Sequence, residues 1–278
     1  MKSTATNTAF STAATPSVVL TFTISTPATT TTTSSTSSTP RHHDLVDHHV
    51  DHGGMQPDKE LPFLTVSAGV SRQYLDFTGA YPTTAQVNQW VPPITLCTQT
   101  LDDLTASLVA TDLTLDDARL LRLYVAYFNR PPDPDGFAYW QRQLDNGKGL
   151  INAAKKFAES SEFKRVYGTL DNGQFIDLVY QNVLGRAPDA SGRQFWLTRL
   201  DNGTKNRGDV MINFSESSEN VRTKTNHVLA FRLFRGMRQK FPSKAEFWAI
   251  VTPMESSGKT LAAEAKAIRL SSEYAARF

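Results

Sequence analysis

Three groups of residues in this chain have types and spacings that could do chemistry. The first is a stretch that occurs twice, Arg130-x-Pro132-Asp133-x-x-Gly136-x-x-x-Trp140 and Arg186-x-Pro188-Asp189-x-x-Gly192-x-x-x-Trp196. With Asp135 it could offer carboxylates and a guanidinium to calcium or a sugar. Two aspartates two residues apart are too few oxygens for calcium, which takes six to eight. The structural reading is simpler: Asp caps a helix, Gly permits close packing, Trp fills a core and Arg pairs with a carboxylate. The second group is His42, His43, His48, His49 and His52, interleaved with Asp44, Asp47 and Asp51. Imidazole and carboxylate at that density suit Zn²⁺, Ni²⁺ or Cu²⁺, although the spacing fits no closed structural zinc site and no cysteine takes part. The third is Arg232, Arg235 and Arg238, which lie opposite an apolar helical stripe and could form a basic face for polyanions. Eleven Lys/Arg stand against four Glu in residues 221–278, a local excess of seven, while the whole chain carries only +2.

The sequence carries no recognisable enzymatic arrangement. Cys97 is the only cysteine, so no intramolecular disulfide is possible. His227 is the only histidine outside the cluster at 42–52. There is no G-x-S-x-G, P-loop or H-E-x-x-H. A carboxylate pair suffices for glycoside hydrolysis, but the acids here recur at helix ends, where they already have a role. The expectation is a non-enzyme without cofactors.

The elements that must position these residues follow a repeat. Trp90, Trp140, Trp196 and Trp248 are preceded by Pro82, Pro132, Pro188 and Pro242, and by an aromatic eight residues before each proline: Tyr74, Tyr124, Tyr180 and Phe234. After each Trp comes a hydroxyl–acid pair, Thr111-Asp112, Ser161-Glu162, Ser218-Glu219 and Ser272-Glu273. Leu121, Tyr124, Val125 and Phe128 fall at i, i+3, i+4 and i+7, as do Ile176, Val179, Tyr180, Val183 and Ala230, Leu233, Phe234, Met237; each set is one apolar helical stripe. The proline should end this helix. Asp133, Asp189 or Ser243 should N-cap the next, with Pro134 at its first position and Ser243/Glu246 as a capping box. Gly147 and Gly203 suit left-handed helix ends. A third, longer helix should follow, starting near Thr100 or Thr260 in the outer copies. No period-two stretch of useful length occurs. The predicted fold is all-α, an array of four helix-pair repeats of about 50 residues, with units at 71–113, 121–166, 174–222 and 228–278.

Ahead of it, 23 of residues 1–40 are Ser or Thr and Lys2 is the only charge before Arg41. Such a tail buries too little to offset its ordering entropy and is expected to be disordered, followed by a His/Asp-rich linker at 41–70. The apolar run Val18–Ile24 is interrupted by threonine and makes a poor signal peptide. No stretch reaches the roughly 18 apolar residues of a membrane span.

The two full stretches, each trailed by Phe-x-Glu-Ser-Ser-Glu, resemble the bacterial "domain of unknown function 4214" family. The close resemblance covers about 121–222. The flanking units lack the Asp and Gly, and the first also lacks the Arg. The resemblance implies a helical fold like that of phycobilisome linker domains and a place in bacterial surface or secreted multidomain proteins, beside adhesive, calcium-binding or carbohydrate-active modules. It carries no activity and no functional residues. The expected function is a non-catalytic surface or secreted interaction module that binds a glycan or another protein. The alternatives are an intracellular scaffold similar to linker proteins and an accessory domain of a carbohydrate-active system. Secretion or surface display is expected, otherwise the cytoplasm; nucleic acid is disfavoured as a partner.

Overall fold

The computed structural model describes residues 62–110 and 115–278. The expectations of a disordered tail at 1–40, of a metal-binding histidine cluster at 42–52 and of the Thr111-Asp112 pair lie outside the described residues. Those described are all-helical, with no strand among them. No described helix is long and apolar enough to cross a membrane. In chain order come α1 (Val66–Thr78), α2 (Thr84–Thr95), α3 (Leu101–Val109), α4 (Asp116–Phe128), α5 (Pro134–Asp145), α6 (Ile151–Glu159), α7 (Ser161–Tyr167) and α8 (Asn172–Val179), which is continued by a π-helix at Tyr180–Leu184. Then follow α9 (Ala190–Asp201), α10 (Arg207–Ser215), α11 (Ser218–Thr223), α12 (Thr225–Arg238), α13 (Lys244–Ser256), α14 (Leu261–Arg269) and α15 (Ser272–Ala275). Helix α1 starts at Val66, so the end of the expected 41–70 linker is already helical.

Local chemistry accounts for most boundaries. Asp133, Asp189 and Ser243 accept from the backbone N–H three residues on, as N-caps of α5, α9 and α13. Ser243/Glu246, Thr83/Gln86 and Thr100/Asp103 form reciprocal capping boxes. Gly147 and Gly203 follow α5 and α9 at φ 77° and 71°. Two kinds of boundary and one burial pattern differ from expectation. The helices before Pro82, Pro132, Pro188 and Pro242 do not end at the proline. Each ends at a left-handed residue three positions earlier: Gly79, Asn129, Gly185 and Gln239. The third helices are shorter than the second, because Ser160, Ser217 and Ser271 turn extended, at ψ 151°, 146° and 143°, and N-cap a separate short helix. Glu162, Glu219 and Glu273 sit in the first turn of those short helices, where the helix dipole favours a negative charge. Helix α4 is buried all round and not only along its stripe: Arg122, Leu123, Ala126 and Tyr127 are as enclosed as Leu121 and Val125.

Packing is pairwise. Helix α3 lies against α14 and α6 against α10, while α12 touches α1, α3 and α4. Gly236 on α12 is required by this arrangement, since a Cβ there would overlap the Phe77 ring of α1. Three arginine–carboxylate pairs tie helices that are far apart in sequence. Arg269 on α14 donates to both oxygens of Asp102 on α3, at 2.8 and 2.8 Å. Arg122 on α4 reaches Glu216, at the end of α10, at 3.0 and 2.5 Å. Arg232 on α12 holds Asp117 on α4 at 2.8 and 2.7 Å. Arg269 and Asp102 are 0 % and 5 % exposed, and removing one partner of so buried a pair costs about 3–5 kcal/mol. Asp102→Asn is therefore expected to lower the urea-unfolding free energy by about 3 kcal/mol. The double replacement Asp102→Leu/Arg269→Met should cost clearly less than the sum of its single changes.

Candidate functional site

The recurring stretch is built at the junction of the first and second helices of each segment. Tyr124 on α4 packs edge-on to Phe157 of α6, at 4.7 Å and 67°. Trp140 on α5 closes on the same Phe157 at 5.7 Å. Tyr180, Trp196 and Phe214 repeat this at 4.7 Å and 65°, and at 5.6 Å. A Cβ on Gly136 would overlap the Tyr124 hydroxyl, and one on Gly192 the Tyr180 hydroxyl. At 136 and 192 the glycine is thus fitted to the tyrosine hydroxyl twelve residues before it. The pairing is confined to these two copies: Tyr74 is followed by Gln86 and Phe234 by Glu246 at that spacing, both capping-box residues. Trp248 does not share the place of the other three tryptophans. Trp90, Trp140 and Trp196 lie seven residues after their N-caps, where α13 has buried Ile250. Trp248 lies two residues earlier, edge-on to His227 at 5.2 Å, with Nε1 donating to the Asn129 carbonyl at 3.4 Å.

The polar members of the motif are engaged locally. Asp133 accepts from the Gly136 N–H at 2.8 Å. Arg130 donates to both oxygens of Glu162 at 2.8 and 2.8 Å and to the Pro131 carbonyl at 2.9 Å. The hydrogen bond to Glu162 raises the Arg130 pKa above its usual value. Lys240 reaches Glu273 at 2.8 Å in the same relation. Asp189 caps α9 likewise, and accepting from the Ser191 hydroxyl and then the Gly192 N–H lowers its pKa. No ion pair joins Arg186 to Glu219; Arg186 stacks on Tyr180 at 5.5 Å. Glu219 lines a groove of about 370 Å³ with Asn129, Asn182, Thr223 and Lys224. Among the described residues no group of His, Cys, Asp and Glu is arranged to hold a metal ion.

The basic face expected at Arg232, Arg235 and Arg238 is corrected by the packing. Arg232 is held by Asp117. Arg235 lies over the rings of Phe137 and Phe241, at 4.9 and 4.5 Å. Arg238 pairs with Glu273 and stacks on Phe234. A stripe opposite the core of one helix is here partly covered by neighbouring segments: all three arginines are half-buried, and Arg232 and Arg235 line a groove of about 330 Å³ beside Asp76 and Asp117. Two features missed by sequence reasoning are outward-facing rings. Tyr139 and Phe195 are 49 % and 47 % exposed, at the same position of α5 and α9. Each stands nearly perpendicular to the next tryptophan at 5.0 Å.

His227 on α12 is 1 % exposed. Its Nδ1 lies 3.1 Å from Glu255 Oε1, but the alignment makes no hydrogen bond and neither ring nitrogen has a hydrogen-bond partner. Burial, and then the positive charge of Lys224, lower its pKa to about 3. The folded-state value lies below the unfolded one of about 6.5. Between those values the unfolded chain binds the extra proton, so stability is full above about pH 6.5 and falls as pH drops toward 3, by up to about 1.4 kcal/mol per pH unit. Burial raises the Glu255 pKa, which acts in the opposite sense. His227→Phe is expected to flatten the stability profile between pH 6.5 and 4 in urea titrations.

No curated protein and no solved structure matches the chain. Residues 154–224, from within α6 to the end of α11, match the model of the domain of unknown function DUF4214; this includes the Arg186–Trp196 stretch, while Arg130–Trp140 lies outside it, and it is to that family that the segment is similar.

Proposed function

We propose that the chain is a non-catalytic interaction module, secreted or displayed at a bacterial surface, built from four related helical units. The second and third are closest to the family pattern; the first and fourth are degenerate. In support, every unit opens with a helix ending in a left-handed residue three positions before a proline, and the next helix starts on a side-chain cap. The motif's polar groups serve helix ends and an ion pair, which leaves recognition to the surface.

The observation that carries the reading is the matched exposure of Tyr139 and Phe195. A single exposed apolar side chain is ordinary; what sets these two rings apart is that both stand outside at the same position of equivalent helices. An aromatic face offers a stacking surface to a sugar ring or a partner's side chain; Phe195 already stacks with the Arg199 guanidinium at 3.3 Å, so the ring of Tyr139 is the more open of the two. Cell fractionation should recover the protein outside the cytoplasm. On a glycan array and in partner capture, Tyr139→Ala and Phe195→Ala should each weaken binding about tenfold, the worth of an aromatic contact of about 1.4 kcal/mol, with unfolding free energy unchanged within about 0.5 kcal/mol. Recovery in the cytoplasm alone would favour the scaffold reading, and binding indifferent to both substitutions would remove the surface assigned here.

A further inference from the structure

Arg232 and Arg238 of α12, each paired with a carboxylate, contrast with a second basic region. A groove of about 500 Å³ runs between α6, α7 and the start of α10, lined by Lys155, Ala158, Glu159, Lys164, Asn206 and Arg207. Arg207 is partly buried and held in place: Nη2 donates to the Leu170 carbonyl at 2.6 Å and to Asn172 Oδ1 at 3.3 Å, and the guanidinium lies over the Phe175 ring at 5.0 Å. Among the described residues Arg207 has no carboxylate partner, and Lys155 and Lys164 make no ion pair. The nearby acids are engaged elsewhere. Glu159 is 68 % exposed and pairs with Lys156 at 3.4 Å, and Asp209 accepts from the Asn206 N–H as part of the α10 capping box. A partly enclosed, pre-positioned cation without a counter-charge is unusual in a folded protein, and here two lysines join it along one groove.

We infer that this groove binds the carboxylate or sulfate groups of an acidic polysaccharide. The assignment rests on the reading of the chain as an interaction module and names its ligand class. Arg207, with Nη2 committed to Leu170 and Asn172, supplies a positive charge fixed in position for a carboxylate or sulfate. Lys155 and Lys164 add mobile positive charge, and Ala158 with the lysine stems gives an apolar floor for sugar rings. A polynucleotide fits less well: duplex binders neutralise many phosphates, whereas the groove offers three cations and the chain a net charge of +2.

The test uses the full chain, with affinity electrophoresis through polygalacturonate, through uncharged dextran and against single-stranded DNA. Wild type should be retarded by polygalacturonate, not by dextran, with retardation fading as salt rises. Lys155→Ser/Lys164→Ser should weaken the interaction about tenfold. Lys244→Ser/Lys266→Ser removes the same charge elsewhere and should leave it within twofold; both pairs are exposed, and matching thermal melts check the fold. Absence of retardation, equal weakening by both double variants, or tighter binding to the DNA would each overturn the assignment. A chain that binds neutral glycans through Tyr139 and ignores polygalacturonate would sink this site while leaving the interaction-module reading standing.

Discussion

The hydroxyl of Tyr124 occupies the space that any side chain at position 136 would need, and Tyr180 does the same at 192. In these two copies the rest of the motif is arranged around that one contact. For the tyrosine to reach the first turn of the next helix, its own helix must stop and reverse within a few residues. The left-handed Asn129 or Gly185 supplies the stop and the following prolines the stiff return. The turn must then begin a new helix at once, which the Asp133 and Asp189 caps allow. Phe157 and Phe214 close the far side of the ring, with Trp140 and Trp196 beside them. The residues that looked most chemical are therefore those that a tight helix–turn–helix junction needs.

A second level of organisation joins the junctions to one another, and it is electrostatic. Arg269–Asp102, Arg122–Glu216 and Arg232–Asp117 each bridge residues separated by about a hundred positions or more. Two of them end on α4, the most enclosed helix. Bidentate geometry fixes the direction of approach as well as the distance, so these pairs specify which helices meet. The buried chain from Thr105 through Gln73 to the Tyr274 hydroxyl, at 2.9 and 2.7 Å, does the same for α1, α3 and α15.

What was legible in the sequence was what is local. Caps, capping boxes, the glycine helix ends and the apolar stripes all depend on neighbours within one or two turns, and Asp133, Ser243, Gly147 and Leu121 behave as their positions imply. Residue type misled where it was put ahead of spacing: the other three tryptophans follow their prolines by eight residues. Trp248 follows Pro242 by six residues, so it misses the register that Ile250 occupies and meets His227 instead. The basic face at Arg232, Arg235 and Arg238 was misplaced for another reason. A helical wheel says what lies opposite a stripe, but not that Asp117, Phe137, Phe241 and Glu273 arrive from elsewhere to cover it. Lys155, Lys164 and Arg207 carried no local signal, because α6, α7 and α10 meet only in the folded chain.

The central claim, that tyrosine and glycine form one packing unit, is tested most directly by a double-mutant cycle in urea. Gly136→Ala should destabilise the wild-type chain by about 1–3 kcal/mol through overpacking. In the Tyr124→Phe background the hydroxyl is gone, and the same substitution should cost nearly nothing or stabilise by up to about 1 kcal/mol, the helix preference of alanine over glycine. An equal cost in both backgrounds would contradict the account.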